Sequence, residues 1–192
     1  SRIKYTMKIC LTVNSSPWSE FKGGGQLAVH ELASALTAQG EDVHVIYSKF
    51  KEEHFDIDVP YKTHWARHYN FKTINLNIFS YLSVLRPLAA KEQFDIIHGN
   101  AEEAYYANTV AQATGADYVF TSHAPKIAPT GMVGGFINPL RFIKSINTYL
   151  LRNAACSAKR IITFSQFSSD VVLTALGNKF KDRVEIISPG IE

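Results

Sequence analysis

Apolar residues along this chain alternate between short continuous runs and longer segments with helical spacing. The runs Lys8–Val13, Asp42–Tyr47 and Phe94–Gly99 predict buried β-strands. Between the first two runs, Gln26–Gln39 repeats its apolar residues every three or four positions, which predicts an amphipathic helix. Gly40 follows at the position where a glycine commonly ends a helix.

The rest of the chain continues the alternation of strand and helix. The further predicted strands are Tyr61–Arg67, Tyr118–Ser122, Arg160–Phe164 and Val184–Ile187, and the further predicted helices are Ile78–Lys91, Glu102–Thr114, Asn138–Ser157 and Ser165–Leu176. Pro87 predicts a kink or a break in the second helix. This order predicts an α/β fold with a Rossmann-like parallel β-sheet flanked by helices on both faces.

Composition narrows the class of protein. A length of 192 residues with 46% hydrophobic content suits one globular domain. The net charge of +3 gives no support for a nucleic-acid partner, and no apolar run is long enough to span a membrane. Cys10 and Cys156 are too few for a disulfide framework, so we expect reduced thiols and a cytoplasmic location. Whether Ser1–Thr6 precedes a natural start at Met7 is left open.

Polar residues follow most of the predicted strands. In a parallel sheet, ligands bind at the carboxyl ends of the strands. Asn14, His98, Asn100 and Ser165 stand at such ends, and we predict that they line a donor or acceptor pocket. His123 ends another strand and leads into a loop rich in proline and glycine, so we predict that it contacts the ligand.

The glycines before the first helix indicate a phosphate site. Gly23, Gly24 and Gly25 carry no Cβ, so a ligand can approach their backbone closely, and the helix N-terminus offers unpaired N–H groups. The alternatives are a flexible surface loop or the dinucleotide fingerprint of an oxidoreductase. Against the fingerprint, Asn14–Lys22 separates the first strand from the glycines, and no carboxylate follows the second strand at Tyr47–Lys49.

Two further patterns each have a functional interpretation and a simpler structural one. A basic stripe along the helix at 139–159 consists of Arg141, Lys144, Arg152 and Lys159. It predicts either a solvated face or contact with an anionic membrane surface or a phosphorylated acceptor. Contact with a membrane would place the protein at the inner membrane face. His64 and His68 have the spacing of two metal ligands on a helix, but the segment is not helical in pattern and no third ligand lies nearby. We therefore predict no metal site.

Five motifs, taken in order, resemble the N-terminal half of a retaining GT-B glycosyltransferase of family 4 (group 1). They cover nearly the whole chain: Gly24-Gly25 with the helix that follows and its Val43–Val45 strand, Phe94–Asn100, Thr121-Ser122-His123, Ala158–Ser165 and Val184–Glu192. Asn100 stands where the family has a second histidine, and Ser188-Pro189-Gly190 stands where it has Pro-Asn-Gly.

The resemblance implies one half of a GT-B fold. Residues 1–188 would form the acceptor-side domain and 189–192 the start of the hinge, with the donor-binding domain absent. The substrates implied are a UDP- or GDP-linked sugar and a sugar, a lipid-linked or another small acceptor, with no metal and no other cofactor. Gly23, Gly24 and Gly25 would bind the donor diphosphate, and His123 would be the catalytic contact to the donor sugar. The isolated chain is then expected to be inactive. A non-catalytic nucleotide- or sugar-binding module is the alternative outside enzymes.

Overall fold

The computed structural model describes residues 5–20, 22–68, 70–71, 74–75, 77–100, 103–123 and 149–188. Seven strands form one sheet in the spatial order β3-β2-β1-β6-β7-β8-β9. They are β1 (Lys8–Thr12), β2 (Asp42–Lys49), β3 (Lys62–Arg67), β6 (Ile96–Gly99), β7 (Asp117–Ser122), β8 (Arg160–Thr163) and β9 (Val184–Ile186). Two short strands, β4 (Asn70–Phe71) and β5 (Ile74–Asn75), pair antiparallel in a separate hairpin.

Every pair of neighbours in the seven-stranded sheet is parallel. β1 lies inside the sheet, where Ile9 is in register with Val43 of β2 on one side and with Ile96 of β6 on the other. β2 is buried along nearly its whole length, which its continuous apolar run predicts for a strand covered on both faces. The predicted Rossmann-like parallel sheet is confirmed.

The helices cover the two faces of this sheet. They are α1 (Gly24–Ala38), α2 (Asn77–Glu92), α3 (Ala104–Thr114), α4 (149–157) and α5 (Gln166–Leu176), with a 3₁₀ helix at Asn178–Arg183. Alternate residues of β1 belong to different apolar clusters: Leu11 packs with Val29 of α1, and Cys10 packs with helices α2 and α3. Because successive strand residues point to opposite faces, α1 lies on one face and α2 and α3 lie on the other.

Some elements differ from their predicted form. α1 begins at Gly24 rather than Gln26, so two glycines form its first turn instead of a preceding loop. α2 continues through Pro87, which is exposed, because Leu85 and Ala89 on either side of it are buried in the same core and offset the lost backbone hydrogen bond. Leu32, one of the apolar residues whose spacing predicted the amphipathic α1, is nevertheless 37% exposed.

The basic stripe predicted along the fourth helix is described only in part. Arg141 and Lys144 lie outside the described residues, whereas Arg152 is half-buried in α4. Lys159 binds Asp117 through an Nζ–Oδ2 ion pair of 2.6 Å. Within the described part of the chain, no helix is both long and apolar enough to cross a membrane. The residues of the predicted hinge, 189–192, also lie outside the described part.

Candidate active site

The candidate site lies at the carboxyl edge of the sheet, where α1 begins. Gly23 precedes α1 in an extended conformation, and its N–H donates to Oε1 of Gln26 at 2.8 Å. The other end of the Gln26 amide donates from Nε2 to Oδ1 of Asn14 at 2.9 Å. One glutamine side chain therefore ties the glycine turn to the residues that follow β1.

The N-terminus of α1 is open to a ligand. Gly24 is exposed, and a Cβ added there would meet no atom of the described residues within 4 Å. The N–H groups of a helix's first turn have no partner within the helix, and the helix dipole places partial positive charge beside them. This end of α1 is therefore suited to an anionic group such as a phosphate.

His123 lies directly against this helix end. A Cβ added to Gly25 would stand 3.3 Å from both Cγ and Nδ1 of His123, so a larger residue would press on the imidazole ring. The ring also meets the Phe164 ring edge-on, with 5.1 Å between the centroids. His123 thus sits between the start of α1 and the end of β8.

A hydrogen bond fixes the other side of the His123 ring. Nε2 of His123 lies 2.9 Å from Oδ1 of Asn100, which directly follows β6 and is 2% exposed. Burial lowers the pKa of His123 to about 4, from an ordinary value of 6.5. The imidazole is therefore neutral at pH 7, which suits it to hydrogen bonding rather than to pairing with a charge.

The remaining predicted site residues differ in how deeply they are buried. His98 is 5% exposed, and its Nε2 lies 2.6 Å from Oγ1 of Thr121, so it lies beneath the edge rather than on it. Burial, and then the neighbouring His123, lower the pKa of His98 to about 4. Ser165 is exposed and caps α5, where its Oγ accepts from the Ser168 N–H at 3.2 Å.

The structure brings together most of the residues that the sequence placed at this edge. A chain of direct contacts joins Asn14 to the glycine turn through Gln26, and the glycine turn to Asn100 through His123. Ser165 adjoins it through Phe164, its neighbour in sequence. His98 stays in the interior. Their roles toward a substrate remain predictions.

Two contributors to the site were not predicted. Gln26 stands three residues after the helix cap, the spacing at which a glutamine side chain returns to the cap backbone, so the sequence held a signal for it. Phe164 offered no such signal, because a terminal apolar residue of a predicted strand is expected in the core.

A cavity of about 230 Å³ opens beside the glycine turn, on the side of β2 and β3. Most of its lining residues are polar, and they include Asn14, Gln26, Ser48, Lys49, Glu53 and His68. The Glu53 carboxylate accepts from the Ser19 hydroxyl at 2.7 Å and from the Phe50 N–H at 2.8 Å, which orders this wall. His64 lies in strand β3 and His68 just after it, so helical ligand spacing does not apply to them. The described ranges contain no group of three potential metal ligands.

A comparison with protein families identifies the chain. A family model described as Glycosyltransferase Family 4 matches residues 22–192. The chain belongs to glycosyltransferase family 4. The resemblance seen in the sequence motifs is confirmed, and the family match argues against the dinucleotide fingerprint that was an alternative for the glycines before α1. No curated protein sequence matches this family 4 chain.

Solved structures share the fold of this family 4 chain at low sequence identity. Sucrose-phosphate synthase from Thermosynechococcus elongatus is 15% identical with a TM-score of 0.72, over 97% of this chain and 49% of that one. A glycosyltransferase from Rickettsia africae is 16% identical with a TM-score of 0.60, over 98% and 44% of the two chains. UGT89C1 from Arabidopsis thaliana, complexed with UDP-L-rhamnose, is 13% identical with a TM-score of 0.56, over 98% and 50%. The chain therefore spans about half the length of these proteins and matches one half of a GT-B fold.

Proposed function

We propose that this chain is the acceptor-side domain of an enzyme that transfers a sugar from a nucleotide-sugar donor to an acceptor, with retention of the anomeric configuration. The observation that carries the proposal is the contact between a neutral histidine, His123, and the open N-terminus of α1 at Gly25. Family membership supplies the reaction class. The contact pairs an anion-binding group with a hydrogen-bonding group suited to a sugar.

The start of α1 would stabilise the leaving diphosphate. Negative charge grows on the diphosphate as the bond to the sugar breaks, and the N–H groups of the first turn at Gly24 and Gly25 already point along the helix axis. Fixed dipoles of this kind need no reorganisation during the reaction, so they favour the transition state over the bound donor. We propose that these dipoles, rather than a metal ion, meet that charge.

His123 would contact the donor sugar next to the diphosphate. Because its ring lies 3.3 Å from the Cβ position of Gly25, a group bound at the helix N-terminus would have His123 as its immediate neighbour. UGT89C1, of similar fold, was solved with UDP-L-rhamnose, which supports a nucleotide-sugar donor here. Proton removal from the acceptor would fall to the donor phosphate, so no additional protein base is required.

The polar cavity beside the glycine turn would receive the acceptor. Its amide, hydroxyl and charged groups, among them Asn14, Ser48 and Lys49, suit the hydroxyls of a sugar or of another small polar acceptor. A lipid-linked acceptor would present its polar end here. The basic face of the helix ending near Lys159 stays a proposed contact to an anionic membrane surface, although Lys159 itself is engaged with Asp117.

The nucleotide would be held mainly by a second domain. Each lost charge-assisted hydrogen bond to a diphosphate costs roughly 1.5–3 kcal/mol, so the 192-residue chain alone should bind a nucleotide sugar far more weakly than a two-domain protein. Calorimetric titration of the chain with UDP- and GDP-sugars tests this, beside turnover measured for the chain joined to a donor-binding domain. We expect weak binding and no transfer by the chain alone. Tight binding or robust transfer would overturn the two-domain proposal.

A further inference from the structure

We propose that Asn100 is a positioning residue that holds His123 in the tautomer with its proton on Nε2, so that the bare Nδ1 faces the N-terminus of α1. The catalytic meaning of this assignment rests on the proposed function, but the geometry and its test do not. Asn100 is 2% exposed, so its side chain acts through His123 rather than on a substrate.

The orientation of the Asn100 amide follows from its neighbours. Nδ2 lies 3.0 Å from the backbone oxygen of Thr12 and 3.3 Å from that of His98. Carbonyl oxygens only accept hydrogen bonds, so the amide nitrogen must face them. The backbone of Asn100 is held as well, since its N–H donates to Oε1 of Glu103 at 3.2 Å. The amide oxygen Oδ1 is left pointing at His123.

The state of His123 follows in turn. Oδ1 of Asn100 can only accept, so the 2.9 Å contact requires a proton on Nε2 of His123. A neutral imidazole carries one N–H, which leaves Nδ1 as a lone-pair acceptor. Among the described residues, none hydrogen-bonds to Nδ1, which lies 3.3 Å from the Cβ position of Gly25.

Two groups of opposite hydrogen-bonding character therefore lie side by side. The first turn of α1 offers N–H donors, whereas Nδ1 of His123 offers an acceptor. A phosphate oxygen would be attracted to the first and repelled by the second. A hydroxyl beside that phosphate would satisfy the second. The ligand class that matches both is a phosphorylated sugar in which one hydroxyl reaches Nδ1, and Asn100 would be the residue that makes this selection.

Long-range ¹H–¹⁵N correlation spectra of the protein test the tautomer directly, with the His123 signals identified by their loss in His123→Gln. We expect a protonated Nε2 and an unprotonated Nδ1 in the native protein. In Asn100→Ala, the ratio of the two tautomers should relax by about five-fold, the equivalent of about 1 kcal/mol for one neutral hydrogen bond.

Asn108→Ala is the matched control, because Asn108 is another asparagine of low exposure, 6%, and lies in α3 rather than beside the ring. It should leave the His123 spectrum unchanged. A native His123 protonated on Nδ1, or a tautomer ratio unchanged in Asn100→Ala, would overturn the proposal. If Asn100→Ala does not fold, the protonated nitrogen of His123 in the native spectrum decides alone whether the proposal holds. The expected tautomer, together with no sugar transfer by the chain joined to a donor-binding domain, would count against the proposed function and leave the positioning role of Asn100 intact.

Discussion

The two edges of the sheet differ in the kind of polar groups that they carry. At the amino edge, charged side chains are joined in ion pairs, which include Lys8–Glu92, Lys62–Asp42, Lys159–Asp117 and Arg160–Glu185. At the carboxyl edge, the side chains that connect Asn14 to Asn100 around the glycine turn are neutral, namely two asparagines, a glutamine and a histidine with lowered pKa, while Lys49 and Glu53 line the adjoining cavity.

This difference between the edges distinguishes charges that are paired within the fold from groups that remain able to recognise a ligand. Exposed ion pairs add little to stability, but they neutralise an edge and leave no strong field to attract a ligand. The carboxyl edge instead keeps its helix N–H groups open beside an acceptor on His123. A search of the sequence for charge clusters would therefore point to the wrong edge of this protein.

The largest effect is expected from Gly25→Val at the carboxyl edge. A Cβ there would stand 3.3 Å from the His123 ring, and the larger valine side chain would also cover the helix N-terminus. Loss of two charge-assisted contacts to a diphosphate corresponds to roughly a hundred-fold or greater loss of turnover in the proposed two-domain protein. Steady-state kinetics with a nucleotide sugar measures this loss.

Gly24→Val is the partner variant, since a Cβ at Gly24 has no atom within 4 Å in the part of the chain that the structure describes. It should unfold at the same denaturant concentration as the native protein, so that any loss of turnover reports blocked approach of the ligand. Native turnover in both variants would show that the helix N-terminus does not meet the donor.

The next effect is on stability at mildly acidic pH. Burial lowers the pKa of His98 and of His123 to about 4, whereas the unfolded chain protonates them near 6.5. The unfolded state thus binds more protons between these values, so their contribution is complete above pH 6.5 and is lost as the pH falls toward 4. A shift of this size corresponds to about 3 kcal/mol for each residue.

Urea unfolding of the native protein and of His98→Gln at several pH values checks this contribution. The variant should lose less stability between pH 6.5 and 4. Some loss should remain, because His123 is still present and burial also lowers the pKa of His44 and His64. The Asp42 carboxylate, whose pKa is lowered chiefly by its hydrogen bond with Lys62, should matter only at more acidic pH. Equal pH dependence in the native protein and His98→Gln would contradict the assignment.

The smallest effect is expected at the amino edge. Asp117→Asn removes the Lys159–Asp117 ion pair, in which the Lys159 side chain is 64% exposed and the Asp117 side chain 51%. Solvent screens such a pair, so the free energy of unfolding should fall by less than about 1 kcal/mol, with turnover unchanged. Denaturation in urea measures this change in the free energy of unfolding, because urea adds no salt that would screen the pair. A turnover defect in Asp117→Asn would show that the two edges are coupled.

The strands were the most predictable part of the molecule. Parallel strands covered on both faces need continuous apolar runs, so β1, β2 and β6 stand out in the sequence within two residues of their bounds. The start of α1 was harder to predict, because glycine disfavours a helix interior but is acceptable in a first turn that is open to a ligand.

The contacts of the site were less predictable than its location. Strand ends identify the edge that holds Asn100 and His123, but they carry no information about which side chain reaches solvent. Asn100 was predicted to line a pocket, yet the carbonyls of Thr12 and His98 hold its amide in the interior. The contact of Gly25 with His123 depends on how β7 and α1 are placed, which no local pattern encodes.

Because β1 lies inside the sheet, it must wait during synthesis for its second neighbouring strand. β1 can pair with β2 early, but its other neighbour, β6, is made much later: Lys8 bonds Asp95 across 87 residues. At roughly 5–20 residues per second, the ribosome needs about 4–17 s to make that stretch. During those seconds one side of β1 has unpaired N–H and C=O groups, the feature by which strands recruit other chains. A nascent chain stalled before Ile96 is therefore the form in which we expect this protein to need a chaperone most.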